Sequence, residues 1–146
     1  AVPEYGSSDS AEGRTSLDVP PGGWPGIASI QVTLGNGTWH ICAGALISHR
    51  WVLTAARCFL GGRDVLHWKA VLGATDLAQP GPKAKVIRIK RILRHQHYDA
   101  HTERNDIALL ELDQPVECSD YIQLGCVPDS SLAVPELKTC YIAGWR

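Results

Sequence analysis

The sequence predicts an all-β protein, an antiparallel barrel or sandwich of six to eight short strands. Three observations carry this. Ala28, Ile30, Val32 and Leu34 alternate with Ser29, Gln31 and Thr33, the period-two pattern of a strand with one buried face. Turn-forming clusters such as Pro20-Pro-Gly-Gly-Trp-Pro25 and Gly35-Asn-Gly37 punctuate the chain. No helical periodicity outlasts a turn or two around Ala55–Phe59. With 146 residues, 45% of them apolar and 20% charged, the chain suits one domain with its own core.

Taken in order, residues 1–20 hold Ser7, Ser8, Ser10, Pro3 and Gly6 with almost no apolar periodicity, and Glu4, Asp9, Glu12 and Asp18 outweigh Arg14. That composition predicts a disordered acidic tail. The strand over Ala28–Leu34 breaks at Gly35-Asn-Gly37 and resumes over Thr38–Ile41, which is a hairpin signal. Further strand-like runs are Gly44–Ile47, Trp51–Thr54, Val65–Leu72, Lys85–Leu93, Ile107–Leu112 and Tyr141–Gly144. In Lys85–Leu93 the apolar face is expected to be Ile87, Ile89 and Leu93, with Arg88 and Lys90 projecting together on the other side.

Composition narrows the function classes. No apolar run approaches the roughly 18 residues that cross a bilayer, so no membrane span is expected. The chain begins at Ala1 without an initiator methionine or a signal-like apolar region, as a processed form or a fragment would. Cys42, Cys58, Cys118, Cys126 and Cys140 lack C-x-x-C spacing and lie among strand-like segments, which favours disulfides and an oxidising compartment. The odd count leaves at least one without an internal partner. Asn36-Gly-Thr38 is an N-glycosylation acceptor in a turn, and with the cysteines it predicts a secreted glycoprotein.

Two clusters invite a binding role. His95, His97 and His101 share one loop, but no cysteine or second carboxylate completes a tetrahedral set, so neither metal nor cofactor is expected. Lys83, Lys85, Arg88, Lys90, Arg91 and Arg94 form a basic stripe that would attract polyanions such as sulfated glycans. Nucleic acid is not expected, because no aromatic residues interleave the charges.

The stretch Trp51-Val-Leu-Thr-Ala-Ala-Arg-Cys-Phe59, with Cys42-Ala-Gly-Ala-Leu-Ile-Ser48 upstream and Asn105-Asp-Ile-Ala-Leu-Leu110 downstream, resembles the first half of a trypsin-like serine protease of the chymotrypsin fold. The resemblance runs from about Trp24 to Trp145. It implies a single six-stranded antiparallel Greek-key barrel, half of a chymotrypsin-like fold, over residues 21–146, with the second barrel absent. It also implies a Cys42–Cys58 disulfide, a partner for Cys140 in the absent barrel, and Asp106 as the triad aspartate. His40 matches a histidine that in this family helps hold the inactive zymogen.

The departure falls on the chemistry. Where the family pattern is Leu-Thr-Ala-Ala-His-Cys, this chain has Arg57. A guanidinium, with a pKa above about 12, cannot act as a general base near neutral pH. A charge-assisted pair with Asp106, bidentate if the fork geometry allows, is expected instead. The family's nucleophile motif Gly-Asp-Ser-Gly-Gly does not occur here. Ser48, Ser119, Ser130 and Ser131 lie in turn contexts without a glycine-flanked elbow. Arg14 stands near the family's activation cleavage point, yet the following Thr15-Ser-Leu-Asp18 is a poor buried plug.

Within the family, Pro115-Val-Glu-Cys-Ser-Asp-Tyr121 followed by Cys126-Val-Pro128 is similar to acrosins, proteases of the sperm acrosome. That likeness implies a secreted or secretory-vesicle location and a second polypeptide held through Cys118, Cys126 or Cys140. Cys118 and Cys126 stay open between free thiols, a mutual bond and a bond to another chain. Three function classes follow: an inactive protease homologue serving as a secreted binding module, a partial sequence of a serine endopeptidase, and a truncated product without activity.

Overall fold

A computed structural model describes residues 3–7, 17–60 and 67–145. The strands are β1 Pro3–Ser7, β2 Leu17–Asp18, β3 Ile27–Leu34, β4 Gly37–Leu46, β5 Trp51–Thr54, β6 Trp68–Leu72, β7 Lys85–Arg94, β8 Ala108–Leu112 and β9 Tyr141–Trp145. Short 3-10 turns occupy Ala56–Phe59 and Val134–Glu136. No α-helix occurs among the described residues.

Strands β3 to β8 close into an antiparallel barrel in the order β3-β4-β5-β8-β7-β6. Three sequential strands lie side by side, and the fourth, β6, returns to pair with the first, β3. That is a Greek key. Closure leaves no free edge among the six strands, which removes the template for edge-to-edge aggregation. All six supply inward side chains, among them Ile30, Leu46, Val52, Leu72, Ile87 and Leu110, and Phe59, Val116 and Ile122 join the core from outside the strands. Phe59 meets Trp68 edge-on at 4.9 Å between ring centroids, a favoured aromatic geometry.

The hairpin between β3 and β4 forms where the sequence places it. Gly35 takes a φ of +55° at the first central position, where a type II′ turn requires it. Two features differ from expectation, and one boundary lies outside the described residues. Thr38–Ile41 and Gly44–Ile47 belong to one strand, β4, because pairing with β3 continues through Cys42 and a register shift at Ile30/Gln31 absorbs the irregularity. The start of the Val65–Leu72 run lies outside the described residues, and β6 is described from Trp68. In β7 a register shift between Ile89 and Arg91 makes Lys90 the extra residue. Side chains beyond it change face, so Ile92 packs on the core and Leu93 is exposed.

The alternation in β3 has a different outcome from a simple half-buried strand. Ser29 and Gln31 are buried along with Ala28, Ile30 and Val32. The outward face of β3 is covered at this point by His40 of β4, whose ring meets that of Trp145 on β9 at 5.6 Å. Ser29 Oγ lies 2.7 Å from His40 Nδ1 and accepts a bond from Gln31 Nε2 at 3.1 Å, so these buried polar groups are paired. Burial holds the His40 imidazole below its ordinary pKa.

A second sheet has the order β2-β1-β9, with Tyr5 opposite Ala143 and Glu4 opposite Asp18. Strands β1 and β2 fall within the stretch that composition reads as a tail. Residues 1–2 and 8–16 of that stretch, Arg14 among them, lie outside the described residues. Backbone pairing with β9 needs no apolar periodicity, so composition gives no sign of it.

Candidate functional site

The site predicted at Arg57 and Asp106 is assembled from the end of β5 and the approach to β8, which pair in the barrel. Strand β5 runs out through extended Ala55 into the 3-10 turn Ala56–Phe59. Ala56 and Phe59 face the core, which leaves Arg57 on the outer side. The turn is anchored from below by the Cys42–Cys58 disulfide, so the expected bond to β4 is present.

Asp106 arrives from the other side, just ahead of β8. Its predecessor Asn105 has a φ of 56°, a left-handed conformation that asparagine tolerates better than most residues. Asn105 Nδ2 donates to His97 O at 3.1 Å, and His95 N donates to Ile107 O at 3.0 Å. These bonds close the 95–107 loop and aim the Asp106 carboxylate at the turn.

The backbone amide of Arg57 donates to Asp106 Oδ1 at 2.8 Å, and its guanidinium Nη1 donates to Oδ2 at 2.7 Å. The pair is charge-assisted, but it is not a guanidinium fork, since one of the two donors is a main-chain amide. The Asp106 side chain is 13% exposed and that of Arg57 63%. The Arg57 amide, the guanidinium bond and its charge together hold the Asp106 carboxyl below the usual range. Tyr98 packs beside them, its phenol pushed up by burial and then by the charge of Asp106.

Chemically this arrangement can hold a carboxylate ionised and can present a partly exposed cation. It cannot accept a proton from a nucleophile, because a guanidinium has no free lone pair to offer. Three of the four serines weighed in the sequence hold turns, and nothing among the described residues gives Ser130 a role. Ser48 and Ser119 accept bonds from the amides of Arg50 and Tyr121, and Ser131 bonds Asp129. The Ser29–His40 contact, which the sequence did not single out, is a serine against an imidazole, but Ser29 is fully buried and no substrate can reach it.

The remaining predicted positions are dispersed. His95 Nδ1 accepts from the His97 amide, and no group of three or more metal-ligating side chains converges among the described residues. Cys118 and Cys126 are exposed thiols not bonded to each other, and Cys140 is exposed. Asn36 is exposed in its turn. Among the described residues, no helix is long and apolar enough to cross a membrane.

The basic stripe is divided rather than continuous. Arg91 pairs with both carboxylate oxygens of Glu111 at 3.0 and 3.2 Å, and Lys90 lies 3.8 Å from the same carboxylate. Arg94 donates to Phe59 O at 3.2 Å. Lys83, Lys85 and Arg88 make no ion pair among the described residues.

The Trypsin family model matches residues 16–146. Spanning the whole of the closed Greek-key barrel and both members of the Arg57–Asp106 pair, this match shows that the chain belongs to the trypsin family of serine proteases.

Proposed function

We propose that this chain is a trypsin-like protease homologue, acrosin-like in its cysteine pattern, that does not hydrolyse peptide bonds and serves as a secreted or vesicle-stored binding module. The observation that carries the reading is the Arg57 guanidinium on Asp106 at 2.7 Å, at the place where the family resemblance expects an imidazole. In serine hydrolysis the base takes the nucleophile's proton and returns it to the leaving group, and an imidazole can do both near neutral pH. Arginine does neither. No flanking sequence changes the protonation chemistry of the guanidinium at residue 57.

Purified protein should not turn over an arginyl ester substrate, and turnover would sink the reading. Arg57→His in these 146 residues should also give none, since they supply no nucleophile elbow or oxyanion hole. Joined to a second trypsin-like barrel, the Arg57→His form should exceed the Arg57 form by on the order of 10⁵- to 10⁶-fold in kcat. Equal activity of the two would show that Arg57 is not what disables catalysis.

A second reading, that these residues are one half of a serine endopeptidase, is favoured by the exposed Val127, Leu132, Val134, Leu137, Tyr141 and Ile142. Exposed apolar runs of this kind mark interfaces. A serine-directed phosphonate probe labelling native material, or a second polypeptide released from it on reduction, would favour that reading over an isolated module.

A further inference from the structure

Strand register lines up an unusual set of side chains on the outer face of the barrel. Lys69 on β6 stands directly opposite Arg88 on β7 and opposite Gln31 on β3. One step along, Val71 stands opposite Val86. Two like charges facing each other across a ladder destabilise a sheet, and no carboxylate among the described residues lies within ion-pair distance of either. On the same β7, Lys90 and Arg91 have Glu111. Among the described residues, the basic strand is balanced at Lys90 and Arg91 and not at the Lys69–Arg88 pair.

Next to that pair the surface is apolar. Val86 is 56% exposed, and Val71 is buried but lies outside the barrel core. Two grooves meet at Lys69 and Val86. One, about 430 Å³, runs over Val71 and is walled by Leu77 and Pro80, while the other, about 400 Å³, holds Thr33, His67 and Arg88.

We propose that this face docks an acidic peptide segment carrying an apolar side chain. A carboxylate of the ligand sits between Lys69 and Arg88, relieving their repulsion, and the neighbouring apolar side chain covers exposed Val86 against Pro80. Facing side chains in a ladder lie about 5 Å apart and successive rows on one face about 7 Å apart, within reach of adjacent side chains of one peptide. The barrel is closed at β3, β6 and β7, so recognition runs through side chains and not through an added strand. A sulfated polysaccharide would use the charges and leave the valine and proline wall uncovered. None of its side chains shares a hydrogen bond or ion pair with Arg57 or Asp106 among the described residues, and the surface does not depend on the state of the old catalytic pair.

The test is fluorescence anisotropy on the full chain at low salt with three labelled probes: a Glu-Leu-Glu-Leu-Glu-Leu peptide, an all-glutamate peptide of equal length and a heparin hexasaccharide. The Glu/Leu peptide should bind tightest. Lys69→Ala and Arg88→Ala should each weaken it by about two- to five-fold, and Val86→Ser by about tenfold. Arg91→Ala should leave it unchanged, and thermal melts should show each variant folded. Lys69→Gln serves as a second variant if Lys69→Ala melts early. The proposal is overturned if neither peptide binds, if the Lys69→Ala/Arg88→Ala form keeps its affinity, or if heparin binds better than the Glu/Leu peptide with no effect of Val86→Ser. The last outcome would make the surface a polysaccharide patch.

Discussion

Replacing Cys42 and Cys58 together by alanine should cost about 3 kcal/mol of stability. The bond joins positions separated by 16 residues, and the chain-entropy model assigns about that much to closing a loop of this length in the denatured state. Both side chains are only partly buried at the margin of the core, so lost packing adds little to the entropic term. At roughly 4 °C per kcal/mol for a domain of this size, the melting temperature should fall by about 12 °C. The assay is thermal unfolding followed by circular dichroism, with Cys118, Cys126 and Cys140 changed to serine so that disulfide exchange cannot occur. Reductant should bring the intact form down to the melting temperature of the double variant and leave the variant unmoved. A difference under about 3 °C would refute the loop-closure argument. It would mean that the turn Ala56–Phe59 is already held by Phe59 in the core and by the Arg57 amide on Asp106.

Gly44→Ala should destabilise the barrel by about 1–3 kcal/mol through overpacking, because an added Cβ would come within 2.6 Å of Val52 Cγ1 and 3.1 Å of Leu53 O; the urea midpoint reads it, and an unchanged midpoint would show that β4 and β5 can separate at no cost. Asp106 contributes a pH-dependent part of stability. Its carboxyl titrates lower in the folded protein than in the unfolded chain, so its contribution is complete above the ordinary carboxylate range near pH 4 and is lost as pH falls through the lower, folded value. Asp106→Asn should accordingly show a smaller loss of urea stability between pH 6 and pH 3 than the unaltered chain. Equal losses would place the acid sensitivity elsewhere, with Glu111 beside Arg91 the next group to replace.

How much of this was legible in the sequence depended on whether the deciding contact was local. The β3–β4 hairpin could be read because Gly35 and the alternation of Ile30 and Val32 lie within one short window. The burial of Ser29 and Gln31 could not, since it is caused by His40 and by Trp145, more than a hundred residues away. Leu93 was expected on the core face, and Ile92 is there instead. The register shift at Ile89/Arg91 is set by pairing with β8, which periodicity along β7 alone does not contain. The basic stripe was visible as composition, but its division was not: Glu111 neutralises Arg91 from the neighbouring strand, and Lys69, which faces Arg88, lies outside the stripe altogether. At the candidate site the identity of Arg57 and Asp106 was legible from the motif. The leading part played by a main-chain amide in holding the carboxylate was not.

That amide explains how the position can lose its chemistry without losing its geometry. The first cause of the low Asp106 carboxyl is the backbone N–H of residue 57, and the guanidinium comes after it. Any residue but proline carries that N–H, so the turn and the aspartate hold each other whichever side chain stands at 57. The guanidinium adds a contact from the solvent side, where screening keeps exposed ion pairs weak. The amide contact therefore does not depend on which side chain stands at 57, whereas proton transfer requires an imidazole there. Once proton transfer is no longer needed, arginine is admissible on physical grounds: it keeps the amide, supplies a counter-charge to a largely buried aspartate, and leaves the Greek-key barrel and its Cys42–Cys58 bond as they are.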